Sequence, residues 1–159
     1  LLLYTLIYVI MTLSAWTFVL SSEYHSKEGR AVYFTDLVGL GKSNPLIAIT
    51  LTCTLLSMAG VPPLAGFFSK MYVFFSAMEG GMYFVAFIGV MASVVGAFYY
   101  LRLIKIMYFE KAESFTSFKV MTREQSIILG VTFIFIIFLS LEPTPLLMLT
   151  QKMALVLIL

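Results

Sequence analysis

Four stretches of this chain carry almost no charge, residues 1–20, 45–78, 82–101 and 125–141, and charged and polar residues gather between them. A helix that crosses about 30 Å of hydrocarbon needs about 20 mostly apolar residues at 1.5 Å of rise each. The pattern therefore predicts an all-α transmembrane chain with four spanning helices, over about 1–20, 45–59 plus 66–78, 82–107 and 125–141. Polar loops fall at 21–44 and 108–124, and an apolar tail at 146–159 is too short to span. All 159 residues read as a single membrane segment. The first stretch has no basic leader or small-residue cleavage site, so it reads as a span rather than a signal peptide.

The second stretch is the irregular one. As one straight helix its 34 residues would run about 50 Å, which no bilayer accommodates without severe tilt. The run SMAGVPPLAGFFSKMYVFF, 57–75, supplies a reason for it to break. Gly60 can end a helix in the left-handed region, Pro62 and Pro63 cannot continue one, and Gly66 lets a second helix start. The expected result is a discontinuous helix, broken over 60–66. Asn44 and Pro45 form a helix-start signal ahead of it. Small residues four apart at Gly89 and Ser93, and at Ala92 and Gly96, would let a neighbouring helix approach the third span closely.

Lys70 is the only charge between Pro45 and Met78. A lysine at the centre of a spanning helix costs about 2.5 to 3.5 kcal/mol on insertion scales, so it needs a partner or a purpose. It falls one turn into the second half-helix, where the positive end of the macrodipole and desolvation both disfavour the ammonium form. Carbonyls released by the break, at the end of the first half-helix and at Val61, Pro62 and Pro63, are its expected partners. Thr50, Thr54 and Ser57 recur at i, i+4 and i+7, a polar stripe that can hydrate a path to the break, and Ser69 and Ser93 extend it. The plainer alternatives are hydroxyls that bond their own helix, and a lysine that snorkels to an interface. Glu79 and Glu142 stand where helices reach the far surface and are candidate proton-exit carboxylates. His25 belongs to a solvated loop.

Composition narrows the function classes. The chain is 61% hydrophobic and 11% charged, against about 25% charged in a soluble domain. One cysteine, Cys53, and one histidine leave no disulfide framework and no Cys/His metal site, and nothing implies a nucleic-acid partner. Lys27, Arg30, Lys42, Arg102, Lys105, Lys111, Lys119 and Arg123 fall on one side of a four-crossing topology, and Lys152 alone falls on the other. The positive-inside rule makes the two long loops cytoplasmic or matrix-facing.

The run SMAGVPPLAGFFSKMYVF, the later YYLRLIKIMYFE and the preceding TDLVGLGKSNPLIAIT resemble the subunit 2 family of NADH dehydrogenase, the antiporter-like membrane subunits of respiratory complex I. The resemblance covers most of 36–110. It implies two inverted five-helix repeats, each with a broken helix, in which buried lysines pass protons along a hydrated axis, and it matches Lys70 to the lysine of the second broken helix. The chain then corresponds to the last four helices. It would be a non-redox, proton-translocating part of NADH:ubiquinone oxidoreductase, with no cofactor of its own. FMN, iron-sulfur clusters and ubiquinone belong to other subunits. The implied partners are other membrane subunits, including the chain that supplies the first helices, and the lipid bilayer. The implied location is the mitochondrial inner membrane, with a bacterial plasma membrane as the alternative. A cation/proton antiporter subunit and a purely structural helical module are the rival functions.

Overall fold

The computed structural model describes residues 2–21, 37–110 and 121–158. His25, Lys27, Arg30, Lys111, Lys119 and most of both polar loops lie outside the described residues. The described part is helical throughout: α1 (Leu2–Ser21), α2 (Leu40–Ser43), α3 (Pro45–Ala59), α4 (Ala65–Glu79), α5 (Tyr83–Phe109), α6 (Arg123–Leu141) and α7 (Thr144–Ile158). Three of these, α1, α5 and α6, are long and apolar enough to cross a membrane, and α3 is apolar but shorter.

The spacing of buried residues explains how the bundle packs. On α1, Leu3, Ile7, Met11, Ser14, Phe18 and Ser21 are buried, and on α6, Leu129, Thr132, Ile136 and Leu139. Both sets repeat every three to four residues and form one stripe per helix. Leu3, Ile7 and Met11 share a cluster with Ala65, Ile136 and Leu139, whereas Phe18 joins Leu40, Leu51, Met107 and Leu129. The start of α1 therefore lies beside the end of α6, and the two helices run antiparallel. Lipid is as apolar as leucine, so packing and interhelical hydrogen bonds, not water exclusion, hold such helices together.

Local sequence fixes several helix ends. Thr122 and Gln125 form a reciprocal capping box at the start of α6, with the Thr122 N–H donating to Gln125 Oε1 at 3.1 Å. Thr122→Ala is expected to cost about 1 kcal/mol locally, so that amides in the first turn of α6 exchange about fivefold faster with deuterium. Gly39 takes a left-handed φ of 77° ahead of α2. Leu40 is only 1% exposed and packs in the cluster with Phe18, Leu51 and Met107, so this short helix within the expected polar loop is anchored to the bundle. Its Gly41 sits against the Tyr108 ring near the end of α5.

The tail forms α7, whose Leu146 and Leu147 pack on the cluster at the start of α1. Of the small residues expected to seat a neighbour, Gly89 meets the Phe74 ring of α4, while Gly96 faces open space within this chain. The α5 surface is otherwise largely uncovered by this chain, with Phe84 75% and Phe98 66% exposed.

Candidate functional site

The end of α3 is a backbone accounting problem, because its last four carbonyls have no partner within the helix. Gly60, at φ 84°, folds the chain back so that its own N–H donates to Ser57 O at 3.0 Å and Leu56 O at 3.1 Å. The Val61 N–H then donates to Leu56 O at 3.1 Å, which is the Schellman arrangement. Two carbonyls remain, those of Met58 and Ala59. Lys70 Nζ donates to both, at 2.8 Å and 3.2 Å. The half-buried ammonium thus finishes the cap of one helix from the first turns of the next. Val61 O, offered by the sequence as a lysine partner, instead accepts from the Leu64 N–H at 3.0 Å in the turn between α3 and α4.

The same two helices touch through Gly66. Its N–H donates to Ser57 Oγ at 3.0 Å, and a Cβ at this position would land on the carbonyl oxygen of Ser57. Only glycine allows that approach. Ser57 and Ser69 are both almost wholly buried, and Ser69 Oγ donates to Gly66 O at 2.8 Å. Pro62 and Pro63 occupy the turn between them, joined by a cis peptide bond.

The stripe on α3 is present, with the hydroxyl protons of both threonines committed. Thr50 Oγ1 donates to Ile47 O and Thr54 Oγ1 to Thr50 O, at 2.8 Å and 2.9 Å. Thr54 is fully buried and also pairs with Ser14 Oγ of α1 at 3.1 Å. Since the single Thr54 proton is already given to Thr50 O, Ser14 is the donor. Sequence reasoning missed Ser14, one of several hydroxyl residues in α1, because no spacing signals a partner 40 residues away. Ser93 Oγ donates to Gly89 O in its own helix.

Beyond the cap, Lys70 borders a groove of about 430 Å³ between α4 and α5. Its α4 wall, Phe67, Met71, Phe74, Phe75 and Met78, offers no polar side chain apart from the lysine. Glu79 ends α4, and Glu142 follows the last residue of α6, its N–H donating to Phe138 O at 3.0 Å. Both carboxylates are exposed, and the structure does not bring either into the cap around Lys70. The arrangement can hold one cation on two carbonyls at the junction of two helices. No group of three or more His, Cys, Asp or Glu side chains that could hold a metal occurs among the described residues.

Comparisons with known proteins place this geometry. Residues 1–96 match the family model described as NADH:quinone oxidoreductase/Mrp antiporter, transmembrane. The chain is 47% identical over 149 residues to NADH-ubiquinone oxidoreductase chain 2 of Marchantia polymorpha, covering 94% of this chain and 30% of that protein. It is 46% identical over 151 residues to NADH-quinone oxidoreductase subunit N of Parvibaculum lavamentivorans, with the same coverages. Among solved structures it is similar to a chain of respiratory complex I from Thermus thermophilus with bound aureothin. That match has a TM-score of 0.75 and 30% identity, and covers 89% of this chain and 31% of that one. The chain therefore spans about a third of the length of the relatives it matches. With more than half of its residues matched by the family model, it belongs to the NADH:quinone oxidoreductase/Mrp antiporter transmembrane family.

Proposed function

We propose that this chain is the C-terminal membrane part of an antiporter-like subunit of NADH:ubiquinone oxidoreductase, and that Lys70 is its reversible proton carrier. The observation that carries the reading is the pair of hydrogen bonds from Lys70 Nζ to Met58 O and Ala59 O. An ammonium has three N–H donors, and two of them are held by those carbonyls. Loss of one proton turns the third position into a lone pair while the two bonds persist. The site then alternates between donor and acceptor without moving its heavy atoms.

In this reading α3 and α4 together make one interrupted crossing. Each has 15 residues, about 22 Å of helix and too short to span alone. With α1, α5 and α6 they give four crossings, and α7 lies outside the count. Lys42, Arg102, Lys105 and Arg123 would face the matrix of a mitochondrion or the cytoplasm of a bacterium. Thr50, Thr54, Ser57 and Ser69 would polarise the approach to Lys70. Electron transfer through FMN, iron-sulfur clusters and ubiquinone would occur in other subunits, and neighbouring membrane subunits would supply the rest of the proton path.

The test is Lys70→Ala in the assembled complex, with protons moved per NADH oxidised measured beside the electron-transfer rate. A fall in proton yield is expected. Unchanged rate and yield would reject the assignment. Sodium-dependent pH changes in vesicles without NADH would instead indicate a cation/proton antiporter.

A further inference from the structure

The two sides of α4 differ in a way the lysine alone does not explain. On the side of Lys70 the helix wall is hydrocarbon and aromatic ring from Met71 to Met78. A proton leaving Lys70 along that wall would meet no further polar side chain of α4, and the facing α5 wall offers one hydroxyl, Ser93, whose proton is given to Gly89 O. On the other side, Ser69, Tyr72, Ser76 and Glu79 recur at i, i+3, i+7 and i+10 and fill an arc of about 80° on the helix surface.

The first three of these line a separate, partly open groove of about 230 Å³, flanked by Leu3 of α1 and by Met82, the residue after the turn that ends α4. Water in liquid occupies about 30 Å³ per molecule, so the groove has room for several waters, and each hydroxyl gives them an anchor. At its inner end Ser69 donates to Gly66 O, while the Gly66 N–H donates to Ser57 Oγ. Ser69 thus ties the inner end of the groove to the contact of α3 with α4 at Ser57 and Gly66, on the face of α4 away from Lys70. The groove runs toward the end of α4, where Glu79 is exposed.

We infer that the Ser69, Tyr72 and Ser76 face of α4 is a water-filled exit track that carries protons from the helix junction to Glu79, and that Glu142 is not its terminus. The inference rests on the proposed role of Lys70 as the proton source. Along the track each hydroxyl accepts a proton from one neighbour and gives up its own to the next, so no proton is consumed and no co-reactant is required. Tyr72, 39% exposed within this chain, stands between buried Ser69 and exposed Ser76 and is the link without which the file divides.

The experiment uses the full-length subunit in the assembled complex, carrying Tyr72→Cys, Ser76→Cys or Met71→Cys one at a time. The probe is a membrane-impermeant, cationic methanethiosulfonate, which reacts only with thiols in contact with water. Labelling of Ser76→Cys and Tyr72→Cys from the Glu79 side, with Met71→Cys protected, is expected. Labelling of Met71→Cys at the same rate, or protection of both track positions, would overturn the inference. In the same complex, Ser76→Val is expected to lower protons moved per NADH, and Ser76→Thr, which keeps the hydroxyl at nearly the same volume, to retain them. Equal yields in the two variants would remove the hydroxyl's role. The labelling pattern does not depend on Lys70, so failure of the track and failure of the lysine assignment are separable.

Discussion

Gly66→Ala is expected to destabilise the junction by about 3 kcal/mol or more, at the upper end of overpacking effects. Most added methyl groups push against a side chain that can rotate away. Here the methyl would coincide with the backbone carbonyl of Ser57, which is fixed by the last turn of α3 and by the bond from Gly60 N–H. Relief requires α3 and α4 to separate, and separation breaks the Gly66 N–H to Ser57 Oγ bond and pulls Lys70 from Met58 O and Ala59 O. The measurement is the amount and thermal stability of the assembled complex. Gly96→Ala is the control: no atom of this chain lies within 4 Å of the new Cβ, and alanine gains about 1 kcal/mol of helix propensity over glycine. Equal tolerance of both changes would mean that the close approach is not required.

Lys70→Arg is expected to stop proton transfer as completely as Lys70→Ala while leaving the junction folded. A guanidinium keeps the positive charge and can donate to both carbonyls, so the cap of α3 stays satisfied. Alanine leaves those carbonyls without their donor, at about 1 to 3 kcal/mol for a buried group. Arginine, however, does not release its proton in proteins, so a carrier that must alternate between two protonation states is frozen in one. A purely structural lysine gives the opposite result, with arginine restoring both stability and proton yield. Measuring both quantities on both variants separates the capping role of Lys70 from its proposed carrier role.

The sequence exposes the junction well because its constraints are local. A glycine followed by two prolines cannot continue a helix, and a lysine in an apolar run must find oxygen. What stays hidden depends on contacts between distant segments. The sequence narrows the oxygens of Lys70 to the end of the first half-helix and the turn after it, but that they are those of Met58 and Ala59 follows from Gly60 and Val61 taking the other two carbonyls of the last turn. Ser14 is invisible for the same reason, as its partner Thr54 lies on another helix. The groove beside Ser69, Tyr72 and Ser76 is partly legible in the spacing, but its flanking by Leu3 and Met82 is not. Leu40 falls in an expected polar loop and is buried by its tertiary position. Residues 144–158 show how a helix-start signal is overlooked: Glu142 and Pro143 mark the end of α6, and Thr144 with Pro145 already begins α7.

The antiparallel pairing of α1 with α6 also sets a timetable for biogenesis. The first residues of α6 leave the ribosome about a hundred residues after the last of α1, a delay of roughly five to twenty seconds at ordinary elongation rates. During that interval α1 gains α3 and α4 to pack against, through the Ser14–Thr54 pair and Ala65, but the part of its stripe that ends up against Ile136 and Leu139 still lacks that partner. A premature stop before α6 would therefore leave α1 inserted without its α6 partner for membrane quality control to find.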